Sequence, residues 1–486
     1  MRKYFMIGAS TFLLGAGSMA FINATAHANS PRPETYHMLE VFGDVLTKVH
    51  NQYVAPTDDK KLIQAAIDGM LTSLDPHSGY LDPASFKDMM DQTRGEYGGL
   101  GLEVTSDDGV VKVISPMDDT PAARAGIKAG DYITAIDGQS VLGLPLNDAV
   151  KQMRGDVGQP ITLSIAREKH DPFEVKLVRE VIAVKSVKSH MEGDYGYLRI
   201  SAFNEKTGDE TAAAVRSLEA KAPHMKGVVL DLRNNPGGLL DQAVAVSDVF
   251  LDGGEVVSQR GRDPQDIERY NAKPGDMLHG LPIVVLINSG TASAAEIVAG
   301  ALQDRHRAEL VGLTSFGKGS VQSVIPLDGG ADGALKLTTA RYYTPAGRSI
   351  QKTGIEPTLE VAESKEEADL VSKREFQFSE ASFRNALNAA EGKTRRSAHE
   401  PAEAPPPAFD PKGDYQLIRA EAVLKAGSVA ALLQSSKPAP MTVVAANKPA
   451  PSSVKTAAVT PEGDVAPAKE LNPPEVVKPA AKASPH

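Results

Sequence analysis

The 486-residue sequence contains no cysteine, and this absence excludes several kinds of chemistry. Disulfide frameworks, thiolate zinc sites, iron–sulfur clusters and cysteine nucleophiles all require that residue. Covalent catalysis by this chain would need another nucleophile, such as serine, threonine or lysine. The length predicts two to four domains, since a domain usually contains about 100–200 residues.

Positive residues are fewer than negative ones. The chain has 52 Lys and Arg against 62 Asp and Glu, a net charge of −10, and no basic block longer than a pair. Nucleic-acid binding requires clustered cations that neutralise phosphates. We therefore predict that nucleic acid is not a partner.

Only the amino terminus carries an apolar run of membrane-spanning length. Arg2 and Lys3 precede an apolar stretch that extends to Ile22, and residues 26–28 (AHA) fit the pattern that signal peptidases cleave. We predict a signal peptide at residues 1–28 and an exported protein of the periplasm or cell envelope. The alternative is an uncleaved anchor that tethers the chain to the membrane, because the run approaches the ~20 residues that span a bilayer.

Apolar spacing divides the remaining chain into regions that together predict a multidomain α+β protein. Residues 29–94 are predicted to be helical, and their apolar face either caps a core or pairs with another subunit. Residues 95–180 indicate short strands with glycine turns, and residues 181–365 alternate strands and helices as an α/β core does. Residues 366–434 are predicted to be helical, with residues 414–433 docking on the core, and residues 435–486 are predicted to form a disordered Pro/Ala-rich tail.

Two runs within residues 95–180 resemble a PDZ domain. Residues 121–131 (PAARAGIKAGD) are similar to its helix and following turn, and a predicted strand covers residues 100–104. A glycine-rich loop with consecutive N–H groups can hold a terminal carboxylate, and the next strand can accept a peptide by β-augmentation. The alternative is a glycine-rich hairpin without a ligand. The predicted peptide-binding loop consists of Gly99, Leu100, Gly101 and Leu102.

A serine lies at a predicted strand–turn–helix junction in residues 288–296 (NSGTASAAE). The first N–H groups of a helix and its dipole converge there, which suits a nucleophile and its oxyanion. Serine and threonine are also common helix caps, so this run alone is a weak signal. Lys318 strengthens the signal, because a serine nucleophile needs a base and a desolvated lysine can be one. No histidine is followed or preceded by an acidic residue at a spacing typical of a catalytic pair.

Two other motifs overlap Lys318. Residues 312–318 (GLTSFGK) nearly match a phosphate-binding loop, but Gly319 replaces the magnesium-binding Ser or Thr and a strand is predicted to follow. Ser315 and Lys318 also match the S-x-x-K motif of penicillin-recognising enzymes, and residues 352–354 match K-T-G. The glycines around Lys318 oppose the helix that this second family requires.

Four runs taken together resemble the carboxyl-terminal processing proteases, which are serine peptidases with a Ser/Lys dyad. The runs follow the PDZ-like segment in the family's order: residues 231–238 (DLRNNPGG), 291–296 (TASAAE), 316–322 (FGKGSVQ) and 342–351 (YYTPAGRSIQ). The resemblance implies a ClpP/crotonase-like core, a PDZ domain that captures apolar carboxyl termini of protein substrates, and no metal or cofactor. It also implies that an adaptor protein can control activity.

The resemblance implies a role for each matching residue. Ser293 is the nucleophile, Lys318 the general base, and Gln322 orients the lysine from a shared strand face. The oxyanion donors are the N–H groups of Ala294 and of Gly237 or Gly238, with Gly238 favoured. Glu296 is predicted to be structural. Leu102 and Ile127 are predicted to line the peptide pocket, or else to belong to the PDZ core.

Three hypotheses follow for function. The first is an exported endopeptidase that recognises apolar carboxyl termini. The second is a PDZ scaffold whose protease core is inactive until an adaptor binds. The third keeps the acyl-enzyme chemistry but acts on a cell-wall peptide or β-lactam, and it requires Ser315 to be essential and Ser293 dispensable.

Overall fold

The computed structural model describes residues 33–107, 109–263, 265–373, 379–388, 402–410 and 413–435. The predicted signal peptide and residues 436–486 of the predicted tail lie outside these ranges. Within them, no helix is long and apolar enough to cross a membrane.

Acidic residues cap two of the three helices in the amino-terminal region. Asp58 accepts hydrogen bonds from the backbone N–H groups of Lys60 and Lys61, and Asp82 accepts one from Ser85. A short strand interrupts the predicted run of helix. The elements are α1 (Pro33–Gln52), α2 (Asp59–Thr72), β1 (Gly79–Leu81) and α3 (Pro83–Arg94).

The next region is an antiparallel sheet closed by two short helices. The sheet has the order β3-β4-β5-β7-β8, β6 pairs with β5, and β2 and β9 form a separate two-stranded ladder. Ile133, Leu163 and Ile165 are completely buried between the sheet and the helices. The elements are β2 (Glu96–Gly99), β3 (Leu102–Asp107), β4 (Val110–Pro116), α4 (Pro121–Arg124), β5 (Tyr132–Ile136), β6 (Gln139–Ser140), α5 (Leu146–Met153), β7 (Pro160–Ala166), β8 (Phe173–Val178) and β9 (Glu180–Ala183).

The strand predicted over residues 100–104 is confirmed from Leu102 onward, but Leu100 and Gly101 lie outside it. β2 ends at Gly99 and β3 begins at Leu102, because Gly101 has a φ of 74°, outside the extended region. The Leu100 carbonyl instead accepts a hydrogen bond from Ala122. The chain therefore forms an open loop between the two strands rather than continuing the ladder.

The α/β core contains a six-stranded sheet of order β10-β11-β12-β15-β16-β19, parallel except for the antiparallel pair β10 and β11. β12 and β15 are buried along their whole length, as continuous apolar runs in parallel sheets are. The elements of this layer are β10 (Val187–Glu192), β11 (Tyr195–Ile200), α6 (Thr207–Lys221), β12 (Val228–Asp231), α7 (Leu240–Phe250), β15 (Ile283–Ile287), α8 (Ala294–Asp304), β16 (Ala308–Gly312) and β19 (Leu359–Glu360).

A second, antiparallel sheet has the order β1-β18-β13-β14, with β17 paired to β18. β1 brings the amino-terminal region into this sheet, because Gly79 pairs with Lys336 and Tyr80 with Leu335. β13 and β14 are absent from the sequence-based predictions, since β14 is largely exposed and has no continuous apolar run. The remaining strands are β13 (Gly254–Arg260), β14 (Ile267–Ala272), β17 (Ser320–Pro326) and β18 (Ala334–Tyr343).

Three helices complete the described chain: α9 (Lys365–Lys373), α10 (Tyr415–Ala426) and α11 (Val429–Ser435). The predicted docking of this region on the core is confirmed. Ala420 and Val423 of α10 pack in one buried cluster with Val229 and Val284 of the parallel sheet. Such burial stabilises by about 25 cal/mol per Å² of apolar surface.

Candidate functional site

Two loops at the carboxyl ends of neighbouring parallel strands, β12 and β15, form one side of the site. The Asn234 N–H donates to Asn288 Oδ1 at 2.9 Å, and Asn288 Nδ2 donates to Asn234 Oδ1 at 3.0 Å. Thr291 Oγ1 donates to the carbonyl of Leu232 at 2.9 Å. Side chains that follow adjacent parallel strands meet at one edge of the sheet, where ligands bind in such folds.

Ser293 lies at the turn between β15 and α8 with a φ of 54°. A positive φ at a residue other than glycine is a strained conformation that concentrates at functional sites. Helix α8 begins at Ala294, so the serine directly precedes the first N–H group of the helix. The predicted strand–turn–helix junction is confirmed.

The Gly237–Gly238 turn packs directly against this serine. A Cβ atom on Gly237 would lie 2.8 Å from Ser293 Cβ and 2.9 Å from the Ala294 nitrogen, too close for any side chain. The Gly237 N–H already donates to Asn235 Oδ1 at 2.9 Å. By contrast, the Gly238 N–H has no hydrogen-bond partner in the described part of the chain. Gly238 is therefore the glycine of this turn with a free donor.

A third loop, between β16 and β17, carries Lys318 to the same place. Glu296 on α8 is completely buried and joins this loop to the serine. Its Oε2 accepts the N–H groups of Ser293 at 2.8 Å and Lys318 at 2.9 Å. Its Oε1 accepts Ser315 Oγ at 2.5 Å and the Gly317 N–H at 2.7 Å. The sequence analysis predicted only a structural role for Glu296. In the structure, its single carboxylate aligns both the serine loop and the lysine loop.

Glu296 has an unusual pKa as a consequence of its position. Burial raises the pKa of Glu296 from 4.5 to about 7, although its four hydrogen bonds act in the opposite direction. The protonated form cannot accept all four bonds, because one oxygen then carries a hydrogen. The protonation state of Glu296 therefore affects how the two loops are held.

Burial lowers the pKa of the Lys318 side chain below its ordinary value, and the nearby charge of Lys336 lowers it further. The carboxylates of Glu380, Glu296 and Asp75 act in the opposite direction. A lower pKa increases the fraction of neutral amine, which is the form that accepts a proton. The surroundings of Lys318 thus favour a base.

The shared strand face predicted for Lys318 and Gln322 is wrong. β17 begins at Ser320, and a bulge separates Val321 from Gln322, so the lysine precedes the strand. Gln322 Nε2 donates to Ser320 Oγ at 2.9 Å and to Thr338 Oγ1 at 3.3 Å. Its predicted role as the residue that orients the lysine remains a prediction.

Ser315 has a structural role in this geometry. It is 5% exposed, and its hydroxyl donates to Glu296 and accepts the Ile355 N–H at 2.7 Å. A hydroxyl fixed in this way is poorly placed to attack a substrate. This contact argues against the hypothesis of a penicillin-recognising enzyme.

One pocket connects these loops to the PDZ-like region. Ser293, Lys318 and Gln322 line it from the core, and Tyr97 and Arg154 line it from the PDZ-like side. The Arg154 guanidinium lies over the Tyr97 ring, 4.4 Å from its centre. The sequence analysis missed Arg154, which carries no motif of its own.

A smaller groove adjoins the predicted peptide-binding loop. Val104 of β3 and Val150 and Met153 of α5 give it an apolar wall, and Arg154 adds a positive charge. Ile127 is 3% exposed in the core of this region and does not line the groove, whereas Leu102 does. All four predicted loop residues line the groove: Gly99, Leu100, Gly101 and Leu102.

Comparison with known proteins agrees with this architecture. Residues 194–361 match the model of peptidase family S41, residues 112–167 match a PDZ domain, and residues 12–85 match the activating protease CtpB N-terminal domain. The carboxy-terminal-processing protease of Bartonella bacilliformis is 53% identical over 364 residues, which are 74% of this chain and 83% of that protein. This chain belongs to the carboxy-terminal processing proteases. The protease is thus a serine peptidase of mixed α+β fold with a PDZ domain.

Other relatives have the same description. Carboxy-terminal processing protease CtpA of Bacillus subtilis is 38% identical over 322 residues, covering 65% of this chain and 68% of that one. Among solved structures, the photosystem II D1 C-terminal processing protease is 32% identical with a TM-score of 0.41, covering 65% of this chain and 86% of that one.

Proposed function

We propose that the protease is an exported endopeptidase that binds apolar carboxyl termini of proteins and cleaves them with a Ser293/Lys318 dyad. The observation that carries the proposal is the meeting of a strained serine and a partly buried lysine in one pocket, with their loops joined through Glu296. The groove beside the glycine loop supports the substrate class, since it combines apolar walls with a cation. Export rests on the amino-terminal sequence alone.

In the proposed mechanism, neutral Lys318 takes the hydroxyl proton as Ser293 Oγ forms a bond to the scissile carbonyl carbon. The N–H groups of Gly238 and Ala294 stabilise the resulting oxyanion. The C–N bond then breaks, and the Lys318 ammonium returns its proton to the leaving amine. Water adds to the acyl-enzyme with Lys318 again as base, which releases the new carboxylate and restores Ser293.

A second candidate is the same core held inactive until an adaptor binds. The supporting observation is that no hydrogen bond joins Ser293 Oγ and Lys318 Nζ among the described residues, while Gln322 is bonded to Ser320 and Thr338. Such a contact forms in some enzymes only when substrate is bound. The two candidates differ in whether purified protease cleaves without a partner.

The test uses residues 29–486 and a pair of loosely folded substrates that differ only in an apolar or a charged carboxyl terminus. We expect faster cleavage of the apolar substrate, and no cleavage by Ser293→Ala or Lys318→Ala. Ser315→Ala is the matched control, and we expect it to cleave with reduced stability because the Ile355 N–H loses its buried acceptor. Equal rates with both substrates would refute the proposed specificity.

If the wild type cleaves neither substrate, the second candidate is favoured. A peptide ending in apolar residues, or an envelope extract, is then added to restore cleavage. Restoration that depends on Ser293 and Lys318 would identify an adaptor-controlled enzyme. Cleavage that survives Ser293→Ala but is lost in Ser315→Ala would instead refute the dyad.

A further inference from the structure

The loop that carries Lys318 is held from a second side by buried groups that the mechanism does not use. The backbone N–H of Glu380 donates to the Phe316 carbonyl at 3.0 Å. Gln351 Oε1 accepts the Gly319 N–H at 3.0 Å, and Gln351 Nε2 donates to Glu380 Oε1 at 2.9 Å. Glu380 and Gln351 are both completely buried. These bonds bracket Lys318, with one contact before it in the chain and one after it.

The same chain of bonds reaches the amino-terminal region. His77, which follows α2, lies with Nε2 2.8 Å from Glu380 Oε2. The Phe383 ring lies between the His77 and Phe316 rings, with ring-centre distances of 6.1 and 6.0 Å. Residues 303 positions apart in the sequence are thus joined next to the lysine loop.

Charge gives Glu380 a second effect on the lysine. The charged groups that act on Lys318 are Lys336 on β18, Glu296 on α8, Asp75 before β1, and Glu380. A carboxylate stabilises the ammonium form of a nearby lysine. Glu380 therefore fixes the loop and also influences the charge of its lysine.

We propose that Glu380 is a positioning residue that holds the Lys318 loop through Gln351 and the Phe316 carbonyl, and that His77 couples the amino-terminal segment to this loop. The inference rests on the proposed function, since it needs Lys318 to be the base. A buried hydrogen-bond chain of this kind holds its members only when all are satisfied. Movement of the segment around His77 would break the contact of Glu380 Oε2 with His77 and loosen the lysine loop.

The test compares Glu380→Ala, Glu380→Gln and His77→Ala with wild type, all as residues 29–486. The matched controls are His190→Ala and Glu192→Gln, which alter an exposed His/Glu pair on β10 with a separation of 3.4 Å. The measurements are kcat, KM, the pH dependence of kcat/KM and the melting temperature. A titration of Lys318 by NMR of 13C-labelled lysine gives a readout that does not need activity.

We expect Glu380→Ala to lower kcat about 100-fold with KM changed less than threefold, because a misplacement of ~1 Å costs about that factor. Glu380→Gln keeps the acceptor for Gln351 and should recover part of kcat. It also removes a negative charge near Lys318, so the lysine should titrate at lower pH and the acid limb of kcat/KM should move the same way. His77→Ala should lower kcat, and both control variants should match wild type.

The inference is overturned if folded Glu380→Ala and Glu380→Gln keep the wild-type kcat and the wild-type titration of Lys318, even with a lower melting temperature. That result would make Glu380 a residue of stability alone. Cleavage by Lys318→Ala would instead overturn the proposed function, and this inference with it.

Discussion

The bridging carboxylate of Glu296 provides the sharpest test of the site, through the isosteric substitution Glu296→Gln. Each carboxylate oxygen accepts two hydrogen bonds, Oε2 from Ser293 and Lys318 and Oε1 from Ser315 and Gly317. An amide has only one oxygen, so either orientation turns an NH₂ group toward one pair of donors. At about 1–3 kcal/mol for each unsatisfied buried donor, the variant loses about 2–6 kcal/mol of hydrogen bonding.

Ionising the buried Glu296 carboxylate costs free energy. This cost makes the free energy of unfolding depend on pH. The pKa of Glu296 rises from 4.5 to about 7 on folding, so the folded state binds the extra proton between these pH values. Stability from this group is therefore present below pH 4.5 and is lost as pH rises to 7. The loss is about 3 kcal/mol at 1.36 kcal/mol per pH unit. Glutamine does not titrate and escapes this loss.

The assay is urea unfolding of wild type and Glu296→Gln at pH 5 and pH 8, with Glu192→Gln as the surface control. We expect the destabilisation by Glu296→Gln to be about 2–3 kcal/mol smaller at pH 8 than at pH 5. We also expect kcat at pH 8 to fall about 100-fold, because each amide orientation releases two of the four aligned groups. Equal destabilisation at both pH values, or an unchanged kcat, would refute the bridging role.

Three further predictions follow from the same structure. The kcat/KM of the wild type should rise with pH through an apparent pKa below 10.5, since neutral Lys318 is the base, and a limb at or above 10.5 would contradict its burial. Gly237→Ala should abolish cleavage and lower the free energy of unfolding by about 1–3 kcal/mol. The reason is that Gly237 has a φ of 95° and that its new Cβ would contact Ser293. A normal kcat in this variant would contradict that contact. Phe42 and Val45 on α1 are apolar but 44% and 52% exposed, which suits a face that joins two subunits. In sedimentation experiments, Phe42→Lys and Val45→Lys should then convert an oligomer into a monomer. A wild type that is already monomeric would argue against this interface.

The local pattern of the sequence was sufficient for most of the core. β11, α6 and the buried strands β12 and β15 lie where continuous apolar runs or amphipathic spacing predict them. The signal is weak where a strand is largely exposed, as β14 is, or where its apolar run is only two residues long, as in β13 (Val256 and Val257). The motifs also identified Ser293 and Lys318 as candidates, since both lie at junctions that are visible as apolar runs broken by small residues.

The partners of these residues were decided by the tertiary structure. Glu296 reads in the sequence as an acidic residue of a first helical turn, yet its burial and four bonds depend on a loop about 20 residues later. The free N–H of Gly238 became apparent only when Asn235 was found to occupy that of Gly237. His77 and Glu380 are 303 residues apart and carry no motif that pairs them. Apolar periodicity is a local property that a sequence displays directly, whereas hydrogen-bond partners are set by the packing of distant segments.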